Sequence, residues 1–142
     1  MDIKENHDLL VKKFGEFEEW DDRYVYIIQL GRDLAPFPEE HRTDKNKIEG
    51  CQSQVWMNAE FEDGKVKIVA DSDAMIVKGL IAVLLKAYSG YSPEEIVSAP
   101  PDFIKEIGID KHLSPTRKNG LGAMLKQIQM YALAFKALSQ NK

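Results

Sequence analysis

Apolar and polar residues alternate along the middle of the chain so regularly that a strand pairing can be written down before anything else is known. From Ser53 to Phe61 the odd positions read Ser, Val, Met, Ala, Phe and the even ones Gln, Trp, Asn, Glu. Asp63-Gly64 follows, a dipeptide suited to a tight two-residue turn. Closing the chain there sets Phe61 against Val66, Ala59 against Ile68 and Met57 against Ala70 on one face. The same register sets Glu62 opposite Lys65 and Glu60 opposite Lys67 on the other. Apolar pairs inward and opposite charges outward are what a half-buried antiparallel ladder requires. A hairpin over about 52–61 and 65–71 is therefore expected. Trp56 departs from the polar outer face: it either covers a helix or neighbouring loop, or belongs to a docking surface, where tryptophan is enriched.

Three-to-four spacing takes over on both sides of the hairpin. Ile3, His7, Leu10, Phe14 and Phe17 predict a first amphipathic helix. His7 on that stripe reads as a packing residue, because no second histidine or cysteine stands at metal-binding spacing from it. Asp21 or Asp22 can cap a second helix, in which Tyr24, Ile27, Leu30 and Leu34 share a face. Pro36 and Pro38 end it and begin a polar stretch, 35–47, that is either a plain connector or a functional loop. After the hairpin, Asp71-Ser72-Asp73 offers caps for a helix from about Ala74 to Ser89 that is apolar nearly all round and so belongs inside the core. Lys78 and Lys86, eight residues apart, lie on one side of it, facing water or a site. Gly79 within it is expected to allow close packing on the sheet. Ser92-Pro93-Glu94-Glu95 begins a further helix with a capping box, Pro100-Pro101 breaks it, and Asp102 to Ile107 makes another, closed by Gly108. The last helix is expected from about Gly120 to Ser139, with Leu121, Leu125, Ile128, Ala132 and Phe135 inward and Met124 and Leu138 beside them.

These elements make one α+β domain over 1–142, with a small antiparallel sheet flanked by helices and no internal repeat. A net charge of −4, from 19 basic and 23 acidic residues, argues against nucleic acid as the main partner. The runs Lys12-Lys13 and Lys45-Asn46-Lys47 are too short to track a phosphate backbone. The longest apolar run, Leu80 to Leu85, cannot span a bilayer. The first residues lack a basic region followed by an apolar one, so no signal peptide is expected and the cytoplasm is the expected location. Gly120-Leu121-Gly122 lacks the third glycine of a dinucleotide loop, and neither a phosphate-binding glycine loop nor a nucleophile elbow occurs. One cysteine cannot close a disulfide, and with scattered histidines it cannot build a zinc or iron–sulfur site within the chain.

That cysteine, Cys51, is the residue with chemistry. It is either an apolar filler or a nucleophile on a loop. Its neighbours, Gly50 before it and the uncharged polar Gln52, Ser53 and Gln54 after it, are unlike those of a core filler. A cation or backbone N–H groups beside the thiol would raise its thiolate fraction. Lys78, His112 and Arg117 are candidates by type, each with the alternative of a solvated or loop-anchoring role. Cys51 with His112 could also form the nucleophile–base pair of a small hydrolase or acyltransferase.

Glu49-Gly50-Cys51-Gln52-Ser53-Gln54-Val55-Trp56 resembles the signature of the SufE family, the sulfur acceptors of iron–sulfur cluster assembly. Similar stretches run along the chain: Leu30-Gly31-Arg32, Pro36-Phe37-Pro38-Glu39-Glu40, Arg42-Thr43-Asp44, Asp71-Ser72-Asp73-Ala74, Ile76-Val77-Lys78-Gly79-Leu80 and His112-Leu113-Ser114-Pro115-Thr116-Arg117. The resemblance implies a SufE/IscU-like fold and a cysteine-persulfide mechanism. A pyridoxal-phosphate-dependent cysteine desulfurase (SufS- or CsdA-like) holds sulfur as a persulfide, Cys51 takes it, and an iron–sulfur scaffold (SufBCD-like) receives it. It further implies stimulation of the desulfurase, no cofactor on this chain, no independent turnover and a monomer when alone. Gly50, Gln52, Ser53, Gln54, Lys78, Asp73, His112 and Arg117 are the candidate supporting residues, and Trp56, Asp73 and the loop around Arg42 are candidates for a docking surface. A non-covalent desulfurase-binding module, with Cys51 as packing, is the alternative. Cluster scaffolds of the IscU family carry several cysteines, so one thiol suits moving sulfur better than holding iron.

Overall fold

The computed structural model describes residues 1–140 of the chain. Strand β1, Val55–Glu62, pairs antiparallel with β2, Lys65–Ser72, through a turn in which Asp63 and Gly64 both take positive φ. The register is the one the alternation demands: Phe61 faces Val66, Ala59 faces Ile68, Met57 faces Ala70, and Glu60 and Glu62 face Lys67 and Lys65. β1 begins three residues later than expected, which leaves Gln52, Ser53 and Gln54 in the loop with Cys51. Two strands have two outer edges, and each is partly capped. Val66 donates to the Tyr91 carbonyl and Ile68 to Ser89 Oγ on one side, while the Met57 carbonyl accepts from Tyr131 on the other. Unpaired edges invite pairing with other chains, so these caps guard the hairpin against such pairing.

Helix α3, Met75–Tyr88, is the centre of the core. Ten of its fourteen residues are buried, so it is enclosed on nearly every side, as its unbroken apolar run requires. Leu80, Ile81 and Leu84 are at most 2% exposed, and burying each contributes about 1.5–3 kcal/mol. It packs on β2, on α1 (Ile3–Gly15), on α2 (Trp20–Arg32) and on the long C-terminal helix. The α2–α3 crossing is a glycine contact. A Cβ on Gly79 would stand 2.5 Å from the Ile27 carbonyl oxygen, and one on Gly31 would stand 2.7 Å from the Gly79 nitrogen. Gly79 therefore serves a helix–helix crossing, not the sheet packing expected of it.

The N-caps differ from expectation where several candidates stood side by side. α2 starts at Trp20 after Glu19, and Asp21 and Asp22 lie within its first turn, where carboxylates complement the helix dipole without capping. Its buried face is Ile27, Leu30 and Gly31, with Tyr24 exposed and Leu34 half-buried beyond the helix end. α3 has no side-chain cap, because its N-cap position is Ala74; Asp73 binds Gln54 and Asp71 binds Arg42. α1 is capped by Asp2, whose carboxylate accepts from the Glu5 N–H at 2.8 Å. It buries Ile3, His7, Leu10 and Phe14 and ends before Phe17, which leans on Tyr26. His7 donates from Nε2 to the Ala87 carbonyl at 3.0 Å and meets Tyr88 and Phe103 edge-on. Ser92 and Glu95 form the full capping box of α4, Pro93–Ser98. α5, Asp102–Ile107, ends on Gly108 at φ 90°, and α6 is the short turn Ile109–His112.

α7 spans Pro115–Gln140 and starts five residues earlier than expected. Ser114 accepts from the Arg117 N–H at 3.2 Å with Pro115 at the first position, the same device that opens α4. Leu121, Met124, Ile128 and Ala132 are its buried stripe; Leu125 and Phe135 are half-buried and Leu138 is exposed. Among the described residues no helix is long and apolar enough to cross a membrane.

Candidate functional site

The route to Cys51 is a polar segment that folds into two 3-10 turns, Glu39–His41 and Asp44–Asn46. Arg42 pins it. The guanidinium lies between Phe37 and Trp56, 5.2 and 4.7 Å from their ring centres, and reaches Glu39 at 3.0 Å and Asp71 at 2.9 Å. Burial pushes the Asp71 carboxyl up, but Arg42, the Ser72 N–H and Lys78 together hold it below the usual range. Trp56, 8% exposed beneath this segment, covers a neighbouring loop.

The residues from Glu49 to Gln54 form a loop that is closed at its base. Ile48 donates to the Val55 carbonyl at 2.9 Å, and Lys47 bridges to Trp56. Asp73 clasps the far end: its carboxylate accepts from the Gln54 N–H at 3.0 Å, and its own N–H donates to the Gln54 carbonyl at 3.3 Å. Gly50 stands at φ 90°, a conformation that disfavours any side chain, and so turns the chain into Cys51. The thiol then folds back onto α7. A Cβ on Gly120 would stand 3.4 Å from Sγ, and Sγ donates to the Gly120 carbonyl at 3.8 Å. With no side chain at Gly120 the thiol rests over the helix backbone, and a Cβ there would just touch it.

Beneath the thiol is a small cavity. Gln52 and Ser53 line it from the loop, Val77 and Leu80 from α3, and Thr116, Arg117, Leu121 and Met124 from α7. Its free space is about 20 Å³, enough for one water molecule or one further atom of similar size. Cys51 itself is half-buried, and burial pushes its thiol above the ordinary value. Burial therefore disfavours the thiolate, the reactive form, while the loop is docked.

Of the supporting residues named from the sequence, the fold gathers Gly50, Gln52, Ser53, Gln54, Asp73 and Arg117 at this loop. It does not gather two. Lys78 turns to Asp71, 3.5 Å away, while its neighbours Val77 and Leu80 face the cavity. His112 stacks flat on Trp20 with ring centres 4.0 Å apart and donates from Nδ1 to the Gly108 carbonyl. With His112 so held, the nucleophile–base pair with Cys51 is not assembled. Gly120, Thr116, Leu121 and Met124 complete the site; the sequence marks them as part of the late segment and last helix but does not link them to Cys51. The Ser114-Pro115 cap was the signal for them, because it begins α7 early enough to bring residues 116–124 over the loop. Among the described residues no group of three histidine, cysteine, aspartate or glutamate side chains is placed to hold a metal ion.

A small α+β domain bearing one loop thiol tucked against a helix glycine is the class of protein that fold and site define. The chain belongs to the SufE family: the family's model, described as an Fe-S metabolism associated domain, matches residues 8–132. It is 41% identical over 126 residues to an uncharacterized SufE-like protein of Synechocystis sp. (strain ATCC 27184 / PCC 6803 / Kazusa), covering 89% of this chain and 79% of that one. The solution structure of a hypothetical protein from Thermus thermophilus superposes with a TM-score of 0.77 over 94% of this chain and 96% of that chain. At 24% identity that likeness shows a shared fold.

Proposed function

We propose that Cys51 accepts sulfane sulfur from the persulfide of a cysteine desulfurase, in the cytoplasm, and hands it to an iron–sulfur assembly scaffold, stimulating the desulfurase by unloading it. One observation carries this reading: the thiol sits at the tip of a loop tied at its base, with space behind it for one more atom. The tip is held by side-chain packing and one weak S–H contact, so it can leave α7 while the ties at Val55 and Asp73 keep register. Out of the cavity the thiol loses the burial that raises its pKa and ionises more readily.

The exchange follows thiol–disulfide chemistry. The Cys51 thiol gives its proton to solvent or a base on the docked partner. The Cys51 thiolate then attacks the terminal sulfur of the desulfurase persulfide. The bond from that sulfur to the desulfurase cysteine breaks, a bond to Cys51 Sγ forms, and the desulfurase cysteine leaves as thiolate. The transferred sulfur keeps its proton and its oxidation state, so no external oxidant or reductant enters. Pyridoxal phosphate belongs to the partner. Returned to the cavity, the terminal sulfur of Cys51 would occupy the space beside Leu80, Leu121 and Met124, away from solutes that reduce or oxidise it.

Intact-mass measurement after incubation with a desulfurase and free cysteine tests the proposal. Wild type should gain one sulfur, lost on treatment with a reducing thiol and absent in Cys51→Ser. No gain by wild type would end the covalent reading, and full stimulation of the desulfurase by Cys51→Ser would favour the non-covalent one.

A further inference from the structure

A second concavity lies between the start of α1 and helices α4 and α5, sharing no residue with the cavity at Cys51. It is a groove of about 670 Å³, within the range of sites that take a small ligand or a few residues of peptide. Its floor is apolar: the edges of the buried Ile3 and Ala99 and the exposed Pro100, laid over the buried Phe103. Its rim is acidic. Asp8, Glu94, Asp102 and Glu106 are exposed and make no ion pair or side-chain hydrogen bond among the described residues. Asp2 and Glu95 also line it, but their carboxylates cap helices. Among the described residues Lys4 is the one lysine or arginine that lines the groove with them.

His7 supplies an independent observation. The residue is only 8% exposed and lines the groove, with Nε2 committed to the Ala87 carbonyl. In the neutral ring Nδ1 is then an acceptor, and among the described residues it has no donor. Floor and rim thus offer apolar contact and hydrogen-bond acceptors, almost without donors. The complementary occupant is apolar and carries several N–H donors with positive charge. We infer that this groove is a docking site for a short cationic, amphipathic segment of a partner protein, with leucine-like side chains over Ile3 and Pro100 and arginine or lysine at the acidic rim. The inference does not depend on the sulfur-acceptor reading, since Cys51 plays no part in it.

Chemical-shift titration of the isotope-labelled chain with the peptide acetyl-Arg-Leu-Leu-Arg-amide tests it. Amides of α1, α4 and α5 and the His7 ring signals should move, saturably, and added salt should weaken binding because rim charges are screened. The matched acetyl-Glu-Leu-Leu-Glu-amide should leave them in place. The triple variant Asp8→Asn, Glu94→Gln, Glu106→Gln removes three exposed carboxylates without touching the core, and should bind about tenfold more weakly or worse. Absence of shifts, equal shifts with the acidic peptide, or unchanged affinity in the variant would overturn the proposal. So would groove shifts produced by raising the concentration of the chain alone, which would identify the occupant as a second copy.

Discussion

Adding one methyl group at two glycines of this chain should have opposite effects, and the difference can be worked from the geometry. Gly79 and Gly120 both lie inside helices, so replacing either by alanine contributes about 1 kcal/mol of helix propensity. At Gly120 the new Cβ would meet Cys51 Sγ at 3.4 Å and its Cα at 3.8 Å, which are ordinary contacts. The propensity gain should survive, and Gly120→Ala should melt about 3–5 °C higher than wild type. At Gly79 the new Cβ would stand 2.5 Å from the Ile27 oxygen, 2.7 Å from its Cγ2 and 2.9 Å from its carbonyl carbon. Two of those atoms are backbone, so α2 and α3 must part. Overpacking costs about 1–3 kcal/mol and sometimes more, and because the atoms that must yield are backbone the upper part of that range, about 2–3 kcal/mol, applies here. Gly79→Ala should therefore lose a net 1–2 kcal/mol or so in urea titration, with unchanged m-value. The Gly120 methyl also takes the room behind the thiol, so a one-sulfur adduct on Cys51 should decay faster in the variant than in wild type. Thermal shifts of the same sign at both positions would refute the assignment of one glycine to a helix crossing and the other to the thiol.

Three further outcomes follow from charge and burial. Burial raises the Cys51 thiol, so its alkylation by iodoacetamide should rise with pH around a midpoint above that of a free thiol, and urea should bring the midpoint back; a midpoint at or below the ordinary value would contradict the docked loop. Burial lowers His7, only partly opposed by the Ala87 carbonyl, Asp8 and Asp102. Its folded value therefore lies below the unfolded one: stability is fully present above the unfolded value and is lost as pH falls through the folded one. Between about pH 7 and pH 5 wild type should accordingly lose more melting temperature than His7→Phe, and parallel losses would dismiss this origin. Arg42→Lys keeps the charge but loses the planar stack between Phe37 and Trp56 and the fork to Glu39, and should lower the midpoint of denaturant titration; an unchanged midpoint would reduce Arg42 to a surface charge.

How much of this was legible in the chain depended on how local each signal was. The hairpin could be read in full because two faces and a turn all demanded one register. Ser92 with Glu95 could be read for the same reason, since a capping box lies within four residues. The opening of α7 at Ser114-Pro115 lacks the returning glutamate, since Arg117 stands where α4 has Glu95, and so it was a weaker mark of a helix start. Gly79 announced a close neighbour without saying which, because a missing side chain carries no address. His112 and Lys78 were sound candidates by chemical type. Their positions were decided by Trp20 and Asp71, partners that no spacing rule connects to them. Asp73 drew notice as a helix cap and turned out to hold Gln54, since a carboxylate at a strand end can serve either N–H.

The contact between Cys51 and Gly120 joins positions 69 residues apart. During synthesis the thiol leaves the ribosome well before the helix that will roof it, because chains emerge from the N-terminus. Until residues 116–124 arrive, Cys51 is a bare cysteine of ordinary acidity, open to whatever oxidant it meets. Shelter for this sulfur is thus a property of the finished molecule, and a chain cut short of its final helix would keep the reactive atom while losing the place to put it away.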